Sequence, residues 1–430
     1  MSRLPLKLPM AATLLAGLLT GLLAPAGTAP AHAEDPVPYT FVSTPDFLNA
    51  DNADVSDSPY WEPGDPNSIN PSYQASLTKV LRDVARWRPD ATLLAGDAVE
   101  GHWGIDTLGT GIFGPVTTEA EQVAAVRLAA AQYYAATVER FAAAGLPLPH
   151  AAVGDHEIGD NPWKGSPYGD FKRRNLTTFK RAWAGWFTQG GARYAQHPVG
   201  TSFDTTAYAV MLAPEIELIT VDMFTRTSTN VVNELGSGEL AWFQAQLADA
   251  NARGVDWIVV QGHDPVLGPV RARSSSRQVY RGGPGSPFWQ AMRDAHVDLY
   301  LHGEVHDTTA IQQDGVTQIS HGGLFYKGQF SYLVAQFRGD TVQLQTRAFR
   351  AATDASSLLW QTDRQLEPAG LHYAPSSYVS GTMTLDKDQH VLARSGLLDV
   401  YSPAAPGSPG STPRTSPVSA ARAAAPPGRR

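Results

Sequence analysis

Five β-rich apolar runs in this chain end in a turn residue and are followed at once by carboxylates or imidazoles. The run "FVSTP" leads into Asp46, and "LLAG" leads into Asp97 and, three residues on, Glu100. "AAVG" is followed by Asp155, His156 and Glu157, "VVQG" by His263, and "LYLHG" by Glu304 and His306. Runs of this composition, bounded by Gly, Pro, Asp or Asn, read as strands, and "AYAVML" and "IELITV" join them. Between them, apolar residues recur three and four apart, which predicts helices over Tyr73–Trp87, Glu119–Ala144, Phe171–Trp186 and Gly238–Ala252. This alternation predicts an α/β layered domain with a mainly parallel core. Two later segments, "YLVAQFRGDTVQLQTRAF" and "GTMTLDKDQHVLARSG", read as hairpins that add antiparallel strands at an edge.

In an α/β sheet the loops beyond the carboxyl ends of the strands converge on one crevice. Five separate segments would then deliver acids and imidazoles to one place. Any one alone is weak evidence, because Gly-Asp after a strand is more often a turn or helix cap, and a single histidine such as His263 is more often structural. Together they differ: carboxylates crowded in one crevice repel and lose solvent, a cost that cations offset. The partner predicted for the Asp155–Glu157 stretch is therefore metal, with more than one ion.

The two ends of the chain read differently from this middle. Met1–Ala33 has Arg3 and Lys7, an apolar run broken at Pro25, and "AHA" at Ala31–Ala33, the layout of a secretory signal peptide. Cleavage after Ala33 predicts a secreted protein with no membrane anchor, and a retained anchor is the alternative. From Ser402 to Arg430 the chain is rich in Pro, Ala, Ser and Gly without apolar period, which predicts a disordered tail and leaves 34–401 as the folded domain. The absence of cysteine excludes disulfides, so stability must come from packing and metal. A net charge of -8 argues against a nucleic-acid partner, whose phosphates favour a basic face.

The order of motifs, D…GD…GDHE…GH…GEVH, resembles that of the calcineurin-like metallophosphoesterases over roughly Tyr39–Phe325. The resemblance implies a four-layer α/β/β/α sandwich of two mixed β-sheets flanked by helices. It implies a dinuclear centre in which Asp97 bridges two metal ions, Asp46 and His306 complete one site, and Asp155, His263 and Glu304 the other. His156 would sit beside the reacting phosphate. A hydroxide bridging the two ions would attack phosphorus while the ions hold the phosphoryl oxygens, and His156 would protonate the departing alkoxide.

Three positions depart from the family pattern. Leu48 stands where D-x-H has its histidine, Asp155 where G-N-H has asparagine, and Glu304 where G-H-x-H has its first histidine. Asp155 and Glu304 remain oxygen donors, but Leu48 cannot bind metal. In the purple acid phosphatase branch the same histidine is absent and a residue three positions after the bridging aspartate replaces it. Glu100 occupies that position and is expected to be the replacement ligand, with Asn49 as a rival and a solvated loop position as the bland reading. A carboxylate-rich shell favours hard ions, so iron or manganese is expected before zinc. Five carboxylates outweigh two divalent ions, so either one ion is trivalent, the arginine loop compensates, or one carboxylate is not a ligand; at least one ferric ion is expected if all five bind.

Substrate contacts are expected from the loops. Arg271, Arg273 and Arg277, with Arg281 behind them, offer guanidinium groups suited to phosphate oxygens, and a basic loop without ligand is the alternative. His302 is a further substrate-facing candidate, and His102 and His321 are weighed evenly against structural roles. Trp163, Lys164 and Tyr168 could form an aromatic rim. The function expected is hydrolysis of a small-molecule phosphate ester by a secreted enzyme. The rival is a secreted metal-binding or structural protein that keeps the fold without turnover, which Leu48 and Glu304 favour.

Overall fold

The computed structural model describes residues 37–46, 51–268, 277–323, 330–353 and 371–399. The leader and tail predicted above, and Leu48, Asn49, Arg271 and Arg273, lie outside these residues. The chain begins with β1 (Tyr39–Thr44), α1 (Pro71–Ala85), β2 (Ala91–Leu94), α2 (Glu119–Ala143) and β3 (His150–Ala151). It continues through α3 (Pro167–Arg174), α4 (Leu176–Phe187), β4 (Tyr208–Ala213), β5 (Ile216–Thr220) and the short hairpin of β6 (Phe224–Arg226) and β7 (Val231–Asn233). Next come α5 (Ser237–Arg253), β8 (Trp257–Gln261), α6 (Pro287–Asp294), β9 (Leu299–His302), β10 (Thr308–Gln313) and β11 (Val316–His321). The last strands are β12 (Phe330–Arg338), β13 (Thr341–Phe349), β14 (Ala351–Thr353), β15 (Leu371–Tyr373), β16 (Tyr378–Asp386) and β17 (Val391–Gly396).

Two large sheets carry the fold. One has the order β17-β16-β13-β12-β1-β2-β3 and the other β10-β11-β9-β8-β5-β4. In the first sheet β1, β2 and β3 run parallel, and β12 joins the other edge of β1 antiparallel. In the second, β5, β8, β9 and β11 are parallel and β4 and β10 close the edges antiparallel. The sheets are thus mixed, and the expectation of a mainly parallel core holds for only part of the first. Its antiparallel half consists of the two hairpins placed at an edge from sequence, and β12 pairs directly with the central strand β1.

Three apolar cores define four layers. Phe41, Leu93, Leu218, Trp257, Val259, Leu301, Leu333 and Leu344 fill the space between the sheets. Tyr73, Leu77, Val126, Tyr134, Trp183 and Phe187 pack helices α1, α2 and α4 on the outer face of the first sheet. Phe243, Leu247, Trp289 and Met292 pack α5 and α6 on the second. Strands covered on both faces must be apolar throughout, and β5 and β8 are buried along their whole length.

Local chemistry fixes the helix ends. Asn70 caps α1 ahead of Pro71, and Thr118 with Glu121 forms a capping box that starts α2. The helix expected over Phe171–Trp186 is two helices. The break falls at Asn175 (φ -102°, ψ 16°), whose side-chain amide donates to Glu119 Oε1 and to the Phe171 carbonyl. An asparagine that satisfies backbone and neighbour in this way offers the chain an alternative to the helical ladder. Among the described residues no helix is long and apolar enough to cross a membrane.

Candidate metal centre

The carboxyl ends of β1, β2, β3, β8 and β9 meet, and the acids and imidazoles that follow them are buried together. Asp46, Asp155, Asp97, His263 and Glu304 are each at most 2 % exposed. Their close approach depends on glycine. A side chain at Gly96 would place its Cβ 2.4 Å from His263 Nδ1, and one at Gly154 would come 2.1 Å from Asp97 Oδ1. The loops also carry strain: Asp46, Asp97, Glu304 and His306 have φ of 46°, 58°, 63° and 53°. Left-handed backbone at four non-glycine residues costs about 1–3 kcal/mol each and gathers at functional sites.

Two donor groups stand out. Asp46, Asp97 and His306 present atoms within 4.8 Å of one another, and so do Asp155, His263 and Glu304. Asp97 also groups with Asp155 and His156, which places it between the two. The Nδ1 of His263 donates to the Ala95 carbonyl at 2.9 Å, so Nε2 faces the acids. It lies 3.3 Å from Asp97 Oδ2 and from Asp155 Oδ1 and 3.9 Å from Glu304 Oε2. On the first side His306 Nε2 is 3.7 Å from Asp46 Oδ1.

The electrostatics of this crowd are those of a site that takes cations. Burial, reinforced by Asp97 and Asp155, pushes the Asp46 carboxyl well above its ordinary value. Burial alone would lower His263, but Asp97, Asp155 and Asp46 outweigh it and hold the imidazole well above its usual range. His156 behaves likewise, with Asp97, Asp160, Glu100 and Asp155 overriding its burial. Asp46 Oδ2, Asp97 Oδ2, Asp155 Oδ1 and His263 Nε2 are buried and make no hydrogen bond. Four convergent polar atoms without a hydrogen-bond partner among the described residues fit metal ions, since unsatisfied buried polar atoms are otherwise costly.

His156 begins a short 3₁₀ turn at His156–Ile158. Its Nδ1 donates to the Glu100 carbonyl at 2.6 Å, leaving Nε2 at 4.0 Å from Asp97 Oδ2, and its side chain is 13 % exposed. His102 stacks on it with ring centroids 6.1 Å apart and pairs with Asp160 at 2.9 Å. The structure therefore reassigns Glu100. Its side chain groups with His102 and His156 and not with Asp46, Asp97 and His306.

Other expectations are also corrected. His302 is fully buried in β9, its Nδ1 donating to the Gly303 carbonyl at 2.9 Å and its ring stacked on Tyr300, so it does not face a substrate. His321 is equally buried and pairs with Ser43 Oγ at 2.8 Å, a structural role. Trp163 packs into the core at 4 % exposure, and Tyr168 gives its hydroxyl hydrogen to the Trp103 carbonyl. Lys164 and Arg277 are exposed, and Arg281 pairs with Glu234 at 3.3 Å.

Sequence reasoning placed Glu157 in the stretch expected to meet metal but named no separate role for it, and the structure gives it one. Its carboxylate accepts the backbone N–H groups of Gly154, Asp97 and Ala98 at 2.7, 2.8 and 2.7 Å. It thereby ties the β2 and β3 loops together beneath the site, and burial raises it to about 7. Asn161 and Gln278, which both donate to Asp155 Oδ2, were also missed, because nothing local marks them.

The sandwich and its donor groups define a metal-dependent α/β protein. The chain belongs to the calcineurin-like phosphoesterases, whose family model matches residues 55–307. A search of curated proteins returned no match. Among solved structures, PhoD is similar at 12% identity with a TM-score of 0.52, covering 86% of this chain and 74% of PhoD. GAP50, the anchor in the inner membrane complex of Plasmodium, matches at 12% identity and TM-score 0.42 over 73% of this chain and 85% of its own. A putative 5'-nucleotidase from Staphylococcus aureus matches at 12% and 0.34, over 78% and 54%. At such identities the likeness to PhoD bears on the fold alone.

Proposed function

We propose that the protein hydrolyses small-molecule phosphate esters with two metal ions. Asp46, Asp97 and His306 would hold one ion, and Asp155, His263 and Glu304 the other. The observation that carries this reading is the convergence of buried, unsatisfied atoms of Asp46, Asp97, Asp155 and His263 at the strand ends. Ions bound there would supply the positive charge that makes a water more acidic and draws charge from phosphoryl oxygens.

This chain's own residues do the rest. Glu100's carbonyl fixes the ring of His156, so that its Nε2–H points into the site and can pass a proton to the departing oxygen. Glu157 keeps Asp97 and Asp155 in register through its three N–H acceptances. His263 is held by Ala95 in the tautomer that leaves Nε2 available.

With Glu100 set apart, four carboxylates remain in the two groups, and two divalent ions cancel them. The premise for a ferric ion therefore falls away. The oxygen-rich shell supports manganese or ferrous iron, with zinc as the alternative. Export through the Met1–Ala33 leader is part of the same proposal, supported by the sequence.

The test is an assay of a nitrophenyl phosphomonoester and a bis-nitrophenyl diester with the metal-free protein, reconstituted separately with manganese, iron and zinc. Turnover restored by metal supports the reading, and the better ester assigns mono- or diesterase. Full metal uptake with no turnover of either would instead establish the rival, a binding protein on this fold.

A further inference from the structure

Two of the proposed donors, Asp155 and Glu304, stand where the family pattern has neutral residues, and they approach one histidine from different strands. One residue outside both loops touches both. The side-chain Nε2 of Gln278 donates to Asp155 Oδ2 at 2.5 Å, and its backbone N–H donates to Glu304 Oε1 at 3.0 Å. Gln278 thus holds one oxygen of each carboxylate. The others, Asp155 Oδ1 and Glu304 Oε2, lie 3.3 Å and 3.9 Å from His263 Nε2.

The amide of Gln278 is itself oriented. Its Oε1 accepts a hydrogen from Asn233 Nδ2 at 2.7 Å, which turns Nε2 toward Asp155. Asn233, at the end of β7, gives its other amide hydrogen to Asp264 Oδ2 at 2.6 Å. Asp264 is fully buried, next in sequence to His263. A flipped Gln278 amide would set its oxygen against Asp155 Oδ2 and its NH2 against that of Asn233, so the chain Asp264, Asn233, Gln278, Asp155 has one satisfied arrangement. Asn161 adds a second donor to Asp155 Oδ2 at 3.1 Å.

We propose that Gln278 is a positioning residue of the second metal group, holding Asp155 and Glu304 in place beside His263, with Asn233 setting its orientation. The proposal rests on the reading that Asp155, His263 and Glu304 bind a cation. Partners that orient ligands in this way contribute about 10–100-fold in metal affinity. The expectation is confined to one ion, because Gln278 makes these two bonds within the second group alone.

The experiment is a Mn²⁺ titration of chelator-stripped full-length protein, following free Mn²⁺ by electron paramagnetic resonance. Wild type should take up two equivalents. Gln278→Ala should take up one equivalent with unchanged affinity and one about 10–100-fold more weakly. Asn233→Ala should weaken the same equivalent to a smaller degree. Two unchanged equivalents in a Gln278→Ala variant with native circular dichroism would overturn the proposal and leave the metal reading standing. If Gln278→Ala does not fold, Asn233→Ala decides, and unchanged binding there overturns it. Wild type taking up no Mn²⁺ would overturn the metal reading itself, and this proposal with it.

Discussion

His263 Nε2 and Asp97 Oδ2 lie 3.3 Å apart, fully buried, without making a hydrogen bond. They come from the ends of β8 and β2, in different sheets. A buried carboxylate and imidazole held that close, with Asp46 and Asp155 beside them, fit a shared cation. Only a sandwich that brings the strand ends of both sheets to one mouth can place them so.

Removing the metal should destabilise the protein. Without cations Asp46, Asp97, Asp155 and Glu304 face one another in a dry site, and bound ions at a hundredfold over their dissociation constant contribute about 2.7 kcal/mol per site. Stripping with chelator should lower the melting temperature by several degrees, and adding manganese should restore it. Identical calorimetric traces with and without chelator would argue against the metal centre.

His156→Ala should leave metal content and melting temperature close to wild type while lowering turnover roughly 10²–10⁴-fold, the range for a positioned proton donor. Steady-state kinetics on a metal-loaded, folded variant measures this. Unchanged turnover would remove His156 from the chemistry.

Glu100→Gln should retain two metal ions per chain, because the Glu100 side chain lies with His102 and His156 and its bond to His156 comes from the main chain. Metal analysis by plasma emission is the readout. Loss of one ion would return Glu100 to the ligand set.

Away from the site, Asp298 sets a pH dependence. It is 3 % exposed, and burial raises its carboxyl to about 7, with the Ile258 N–H at 2.8 Å opposing in part. The folded value lies above the unfolded value of about 3.9, so the folded state binds this proton more tightly. Its contribution to stability is full below about pH 4 and is lost as pH rises through 7. Asp298→Asn keeps an acceptor for Ile258 and should not lose stability over that window, whereas wild type should. Urea denaturation at pH 4, 5.5 and 7 gives the comparison, and parallel curves would contradict it.

The strand ends were legible because a strand that stops at Gly and turns leaves a local mark, and acids there have few neutral explanations in combination. Asp46, Asp97, Asp155, His263, Glu304 and His306 could be named from their neighbours in sequence alone, and so could the helices whose caps and apolar period lie within one segment. What depended on tertiary structure is the direction of each side chain and the identity of its neighbours. Glu100 follows β2 and His302 ends β9, yet the first groups with His102 and His156 and the second is buried in the core, because backbone turn and packing decide orientation after the motif has decided position. Asn161, Asn233 and Gln278 carry no local signal, since an amide gains its role only from what lies opposite it. The sequence by itself determined which charged groups would be expensive to bury together; the fold decided which of them meet, and which neutral groups hold them.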